Sequence, residues 1–329
     1  MKKFVIRKTG GPEVLERVDA PDPEIDDDQV LIDIKAVGLN WSEVMIRRGE
    51  WPLDLGGGFT PGAEGAGVVE AVGRNVENVK PGDRVANFEV EAYLDPGQGN
   101  YAEKIAVPAD KVLKVPERFS FAEAAAAPMA MLTAYDAMVN HSPLPEEGTA
   151  VVTACTGAVG AAAVQIAKRN GLRVIGTSRS KDKKGHITSL GAEAAIESDP
   201  VRLKERIAEM TGGDGVDYVF DPIGGETASQ LLTLMNFNGT YVLYGFLGGQ
   251  QLLVPSNILF EQIQIHGYVV LRNLYDTLWL QEVWSEIYPL LETREVMVPI
   301  SKTFPFEKAA EAHGEMESHR HFGKLVLVR

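Results

Sequence analysis

The stretch from Thr149 to Lys168 carries residues suited to holding a phosphate. Ala150–Ala154 reads as a β-branched strand, Thr156-Gly157-Ala158-Val159-Gly160 as a small-residue turn, and Val159–Asn170 as a helix stopped by Gly171. Small residues let the backbone approach a pyrophosphate, and the first N–H groups of the new helix, with its dipole, attract negative charge. The fingerprint is Ala154-x-x-Gly157-x-x-Gly160 and not a full triple glycine, so close helix–strand packing alone also accounts for the pair. A unit that prefers NAD places an Asp or Glu about 20 residues further on, against the ribose hydroxyls. Here the second strand ends at Ser178, among Arg179, Lys181, Lys183 and Lys184. A hydroxyl flanked by cations attracts the 2′-phosphate that a carboxylate would repel. A solvated basic loop has the same composition, but in a chain of net charge −14 a basic cluster at this position points to NADP(H).

These residues must be positioned by an α/β unit, and the surrounding pattern supplies one. From about residue 121 strands and helices alternate: Leu172–Thr177, Asp182–Leu190, Ala194–Ile196, Pro200–Thr211, Val216–Asp221, Glu226–Met235 and Thr240–Tyr244. Right-handed crossovers between such strands give a doubly wound parallel sheet. The earlier part differs: Val30–Val37, Gly67–Gly73 and Asp83–Asn87 alternate like strands, and Pro-Gly or Gly-Pro turns punctuate them at residues 11, 61, 81 and 96. An antiparallel, barrel-like domain without long helices is expected there. Ser120 is expected to cap a helix from Phe121, with Ala130–Val139 helical after it. The tail offers an amphipathic segment, Leu278–Leu291, and a strand, Lys324–Val328.

The 329 residues suffice for two domains, and 46 acidic against 32 basic residues argue against nucleic acid or an anionic membrane as a partner. Cys155 is the single cysteine, so no internal disulfide and no multi-cysteine zinc motif can form, and a reducing cytoplasm is the expected compartment. The opening Met-Lys-Lys-Phe-Val-Ile-Arg-Lys turns polar too soon for a signal sequence.

Across most of its length the chain resembles the zinc-free quinone oxidoreductase (zeta-crystallin-like) branch of the medium-chain dehydrogenases/reductases. The resemblance rests on Ala36-Val-Gly-Leu-Asn-Trp-Ser42, Pro61-Gly-Ala-Glu-Gly-Ala-Gly-Val-Val-Glu-Ala-Val-Gly73, Pro81-Gly-Asp-Arg-Val85, Gly99-Asn-Tyr-Ala-Glu103, Leu132-Thr-Ala-Tyr-Asp136, the glycine turn, Gly215–Asp221 with Gly224-Gly225, and Gly323-Lys-Leu-Val-Leu327. It implies an α/β chain in which a doubly wound parallel Rossmann sheet is inserted in a GroES-like β-rich catalytic domain. The expected division is 1–124 plus 268–329 for the catalytic domain and 125–267 for the NADP-binding domain, with the active site in the cleft. A homodimer is also implied, joined through a terminal Rossmann strand near Ile265–Val270.

The same resemblance suggests the site residues. Asn40 and Trp51 are the candidate catalytic residues. Asn40 is expected beside the nicotinamide ribose and the acceptor, although on its own it reads as a turn residue after Gly38. Trp51 stands where relatives often carry Tyr, either stacking on a planar acceptor or anchoring a loop. Asn40, Met129, Thr133, Thr156, Gly157, Ala158, Val159, Gly160, Ser178, Arg179, Lys183, Gly245, Phe246 and Lys324 form the expected NADPH set, while Tyr135 is assigned to packing and Glu197 replaces a common aromatic. Where zinc-dependent relatives carry Cys, His and Cys, this chain has Asn40, Ala63 and Met129, and Asn87–Asn100 lacks the cysteines of a structural zinc lobe. An amide, a methyl and a thioether do not make a tetrahedral zinc site. The histidines show no ligand spacing, and His319 and His321 read as surface residues, so no metal is expected.

Without a Lewis acid the expected chemistry is hydride transfer from NADPH to an electrophilic small-molecule acceptor already poor in electrons, a quinone first. An enone or enal double-bond reductase and a non-catalytic NADPH-binding sensor or structural protein are the alternatives. A methyltransferase would want an acid where Ser178 stands. Cys155 lies at a helix N-terminus, where a thiol pKa tends to fall, so it is either a reactive thiol or a packed one.

Overall fold

The computed structural model describes residues 1–51, 55, 57–89, 99–273 and 276–329. The chain forms two compact units, one of residues 1–129, 271–294 and 298–329, the other of residues 130–270 and 295–297. The second unit thus begins at Ala130, inside a helix, five residues later than the sequence suggests, and it also takes in Glu295–Met297.

In the first unit β1 (Lys2–Val5) pairs with β2 (Glu16–Asp19). The main sheet opens with β3 (Gln29–Gly38), followed by α1 (Trp41–Arg48), β4 (Glu64–Val72), β5 (Arg84–Phe88), β6 (Lys104–Pro108) and β7 (Val112–Lys114). The helix α2 (Phe121–Ala126) starts as expected at Ser120, whose hydroxyl accepts from Glu123 N at 3.2 Å while the Glu123 carboxylate accepts from Ser120 N at 2.8 Å. Then α3 (Pro128–Tyr135) leads into the second unit. It does not run on to Val139: a π-helical turn, Asp136–His141, takes over.

The second unit contains β8 (Thr149–Val152), α4 (Ala158–Arg169), β9 (Arg173–Ser178), α5 (Lys184–Ser189), β10 (Ala194–Glu197), α6 (Pro200–Thr211), β11 (Val216–Asp221), α7 (Gly225–Leu232), β12 (Met235–Leu243), α8 (Asn257–Glu261) and β13 (Gln264–Gly267). Its strands lie in the order β10-β9-β8-β11-β12-β13, all parallel. The order reverses beside β8, so the crevice at the carboxyl ends of β8 and β11 is where a Rossmann sheet takes its ligand. Val151, Ile175, Val219 and Tyr241 on the strands pack with Leu203 and Ile207 of α6 and Leu231 of α7 into a fully buried core. β13 is shorter than the strand expected to reach Val270, which lies instead in a 3-10 turn, Val270–Asn273.

The chain returns to the first unit through α9 (Thr277–Glu292), β14 (Ile300–Pro305), α10 (Ala309–Glu317) and β15 (Lys324–Val328). The sheet order there is β14-β15-β3-β4-β5-β7, with β6 also on β3. β3 is long enough to divide one edge: Gln29–Asp33 pair with β6, and Ala36–Gly38 pair with β15. Pairings are antiparallel except β14 with β15, which are parallel, against the purely antiparallel expectation. Among the described residues no helix is long and apolar enough to cross a membrane.

Candidate active site

The glycine turn folds as its residue types require. After β8, Ala154 takes a left-handed φ of 48°, and Gly157 caps α4 in an extended conformation with no side chain supplying a cap. The two glycines serve different ends. A Cβ on Gly160 would lie 2.6 Å from Cys155 Cα and 2.7 Å from Ala154 O, so this glycine is needed for the helix to pack on its own turn. A Cβ on Gly157 would meet only Ala154 O at 3.5 Å. Protein packing leaves room there, at the residue that caps α4. Thr156, Ala158 and Val159 are half-buried around it. That open cradle, with the helix dipole behind it, fits a pyrophosphate.

Asp221, at the end of β11, fixes the facing loop. Its fully buried carboxylate accepts from the Thr153 hydroxyl, from the Tyr241 hydroxyl, from Ile223 N at 3.0 Å and from Gly224 N at 2.8 Å. Gly245 packs on Pro222, where a Cβ would come within 2.9 Å of the carbonyl oxygen, and Phe246 beside it is exposed. The loop 245–249 is thereby held against residues 222–225, with a bridge between Gly224 and Gly249.

At the end of β9 the Ser178 hydroxyl accepts from Ser180 N at 3.2 Å. Arg179 is exposed and Lys183 half-buried. Partial burial and the like charge of Arg179 hold the Lys183 ammonium below its usual range. Two cations close enough to oppose each other favour an anion between them. Lys181 turns elsewhere, to Glu197 at 3.4 Å. Thr133 is buried on α3.

In the first unit the sequence-predicted Asn40, Met129 and Lys324 meet at one carboxylate that sequence reasoning missed. Glu64, at the start of β4, is fully buried and Lys324 is 3% exposed. The Lys324 ammonium pairs with Glu64 Oε1 and donates to Asn40 Oδ1 at 2.7 Å. Asn40 Nδ2 donates to Glu64 Oε1 at 3.0 Å, and Met129 N to Glu64 Oε2 at 2.7 Å. Asn40 is therefore more than a turn residue: it is the N-cap of α1, with its side chain spent on Glu64 and Lys324.

A second buried carboxylate adjoins the first group. Glu43, three residues into α1, accepts from Asn40 N at 3.1 Å, Ala63 N at 3.3 Å and the Tyr101 hydroxyl at 3.0 Å. Burial pushes its carboxyl up to about 7, against the opposing pull of these donors and of the Lys324 charge. Tyr101 also meets His313 Nε2 at 3.0 Å, and Arg47 Nε donates to His313 Nδ1 at 3.4 Å. Arginine only donates, so Nδ1 accepts and Nε2 carries the proton towards Tyr101. Burial and the Arg47 charge push His313 down to about 3, leaving a neutral imidazole. Arg47 ends the chain of groups on Glu317. Asn40-x-x-Glu43 has the spacing of a capping box, the one local signal that could have singled out Glu43.

Other expected residues fall differently. Cys155 is wholly buried, its thiol donates to Thr177 O at 3.0 Å, and burial pushes it up to about 12, so the reactive reading gives way to packing. The helix terminus that would lower a thiol pKa is outweighed by the loss of water. Trp51 is half-buried in the first unit, next to residues 52–54, which lie outside the described residues, as do 90–98 of the segment read for a zinc lobe. The donor set at positions 40, 63 and 129 does not fit zinc, since an amide, a methyl and a thioether are not its ligands and the amide oxygen of Asn40 is already taken by the Lys324 ammonium. Among the described residues no group of three potential metal ligands forms.

Residues 26–117 match the model of the alcohol dehydrogenase GroES-like domain, and residues 158–292 that of the zinc-binding dehydrogenases. A quinone oxidoreductase of Pseudomonas aeruginosa is 32% identical over 99% of both chains. The chain belongs to the quinone oxidoreductase family of medium-chain dehydrogenases/reductases. It is an oxidoreductase enzyme. The Escherichia coli quinone oxidoreductase solved with NADPH superposes with a TM-score of 0.88 at 29% identity, covering both chains in full. The quinone oxidoreductase of Thermus thermophilus, solved alone and with NADPH, gives 0.85 at 32% identity over the whole of both chains. This enzyme thus shares their α/β architecture, a GroES-like domain with a Rossmann-type parallel sheet.

Proposed function

We propose that this enzyme reduces quinones and related conjugated carbonyl acceptors with NADPH and without zinc. The observation that carries the choice of cofactor is Ser178 with Arg179 and Lys183 at the end of β9, where an NAD-preferring sheet keeps an acid. The α4 N-terminus, with Thr156, Gly157, Ala158, Val159 and Gly160, holds the pyrophosphate. Ser178, Arg179 and Lys183 hold the 2′-phosphate. Thr133, Gly245 and Phe246 complete the cofactor contacts of the second unit, and Asn40, Met129, Trp51 and Lys324 are the first unit's contribution to nicotinamide and acceptor. NADPH, when bound, supplies the hydride, and the protein's part is orientation and electrostatics. Asn40, Ala63 and Met129 offer no zinc ligand set that would polarise an alcohol, so acceptors that are already electron-poor are the substrates this site suits.

A homodimer is part of the proposal: β13 is an edge strand, and with α8 it exposes Leu259, Phe260 and Ile265. Sedimentation at micromolar concentration checks this, and a monomer there refutes it. The lone buried cysteine suits the cytoplasm.

The deciding experiment follows nicotinamide absorbance with NADPH and NADH against an ortho-quinone and a simple enone. NADPH-selective turnover of the quinone is expected. Turnover of the enone alone transfers the enzyme to the double-bond reductases, and tight NADPH binding without turnover makes it a sensor. The double variant Arg179→Ala/Lys183→Ala should weaken NADPH binding at least tenfold and leave NADH nearly unchanged; equal losses refute the phosphate site.

A further inference from the structure

Of the three chain positions that correspond to zinc ligands in metal-dependent relatives, one, Asn40, meets a buried lysine here, and the other two adjoin the carboxylate that pairs with it. Ala63 precedes Glu64 in the chain, Asn40 bonds Glu64 through its amide, and Met129 bonds it through its backbone N–H. Lys324 brings its ammonium to Glu64 and to Asn40 Oδ1, so a side-chain cation stands beside one of those positions and on the carboxylate that joins them.

Stability does not call for this arrangement. Removing an ammonium and a carboxylate from water costs several kcal/mol per ion, and well-packed apolar residues of similar volume often do as well or better. The charges are also unevenly matched, with Glu64 and Glu43 both fully buried near one ammonium. Most telling is the donor count. An ammonium has three N–H groups. Two are used, on Glu64 and Asn40, while the third meets no acceptor among the described residues although the side chain is only 3% exposed. An unmatched donor in such a place is a site for an acceptor oxygen.

We propose that the Lys324 ammonium takes the role of the metal: its third N–H binds the carbonyl oxygen of the acceptor and gives that oxygen a proton as hydride arrives. The inference rests on the NADPH-dependent reductase reading and deepens it. Hydride brings two electrons into the conjugated acceptor and leaves NADP⁺. Charge collects on the acceptor oxygen, where an O–H bond forms as one N–H bond of Lys324 breaks. The neutral amine then takes a proton from water. Asn40 and Glu64 are positioning residues: they fix two of the N–H groups and so aim the third. Unlike zinc, this cation supplies its own proton and leaves no site for an alkoxide ligand, which directs the enzyme to reduction of conjugated carbonyls.

The test uses the full chain as Lys324→Met, Lys324→Arg and Glu64→Gln/Lys324→Met, the last removing both charges so that a folded protein is retained. With saturating NADPH and quinone, kcat should fall a hundredfold or more in both Met variants, the scale of losing one oxyanion donor, while NADPH Kd stays within threefold. A near-normal kcat in either folded Met variant overturns the proposal. So does a tenfold or greater loss of NADPH affinity with kcat preserved, which would make Lys324 a cofactor clamp. A second readout needs no turnover: 4-nitrophenol, a mimic of the oxyanion product, should show the absorbance of its ionised form when bound to the wild-type enzyme at a pH below its solution pKa. The shift should persist in Lys324→Arg and vanish in the Met variants. No shift in the wild type, or an equal shift in the Met variants, overturns the proposal. If wild-type enzyme reduces no acceptor, the reductase reading fails, and the nitrophenol signal still reports separately on Lys324.

Discussion

The two units treat polarity in opposite ways. In the second, the turn after β8 is a backbone structure, with donors at the mouth of α4 left uncapped and room kept clear in front of Gly157. In the first, the polar groups around Glu64 and Glu43 are side chains, buried and bonded to one another. A nucleotide's phosphates are recognised by shape and dipole, which a short contiguous loop can offer. Moving or stabilising charge on a small acceptor needs several titratable groups at one point, and these have to be gathered from across the chain.

That contrast can be broken by mutation, and the largest effect is expected in the buried half. Glu64→Gln leaves the Lys324 ammonium without its anion and should cost about 3–5 kcal/mol in chemical denaturation, as for other buried pairs deprived of a partner. A cost within that of an ordinary surface change would show the pair to be hydrated in solution.

Next in size is a pH effect. The Glu43 carboxyl titrates near 7 in the folded enzyme against 4.5 as the ordinary value. A group whose pKa is raised by folding contributes stability that is fully present below its unfolded pKa and is lost as pH rises through the folded one. Glu43 therefore favours the folded state at pH 4.5 relative to pH 7, by about 3 kcal/mol. Glu43→Gln should remove that dependence, and unfolding free energies measured across this window check it. His313, pushed down to about 3, acts in the reverse sense: its neutral burial is harmless above the usual 6.5 and costs stability progressively as pH falls towards 3. His313→Gln should therefore lessen acid sensitivity below pH 6.5.

The smallest expected effect sharpens the open half. Gly160→Ala forces a Cβ against Cys155 and Ala154 and should cost about 1–3 kcal/mol. Gly157→Ala meets only ordinary contact, so thermal unfolding should change little while NADPH binding weakens. Equal stability losses in the two variants would show that both glycines serve packing.

The difference between the units also decides what was legible. The glycine turn, the basic cluster after β9 and the helix stops are local, and β11, α6 and β15 fall where period and turn residues put them. The π-helical turn after Tyr135 was missed because Ala, Met and Val suit either winding. Asn40, Met129 and Lys324 were named through resemblance, yet their mutual contact is a tertiary fact. Glu64 sits in plain view in Pro61-Gly-Ala-Glu, and only its neighbours in space reveal its work. No pattern in the chain joins Tyr101 to His313 across 212 positions. For Cys155 the residue types leave reactive and packed readings both open, and only its burial, a tertiary fact, decides for packing.

The shared edge of β3 sets an order of events during synthesis. Translation delivers Asn40 and Glu64 early, whereas β15 and Lys324 come from the far part of the chain and clip onto β3 only at Ala36–Gly38. The second unit, nearly contiguous, can close on its own segment as it leaves the ribosome. The ion pair cannot. A nascent or prematurely terminated chain would hold the parallel sheet complete and the Glu64 carboxylate still without its cation, so the Lys324–Glu64 pair is among the last contacts the polypeptide acquires.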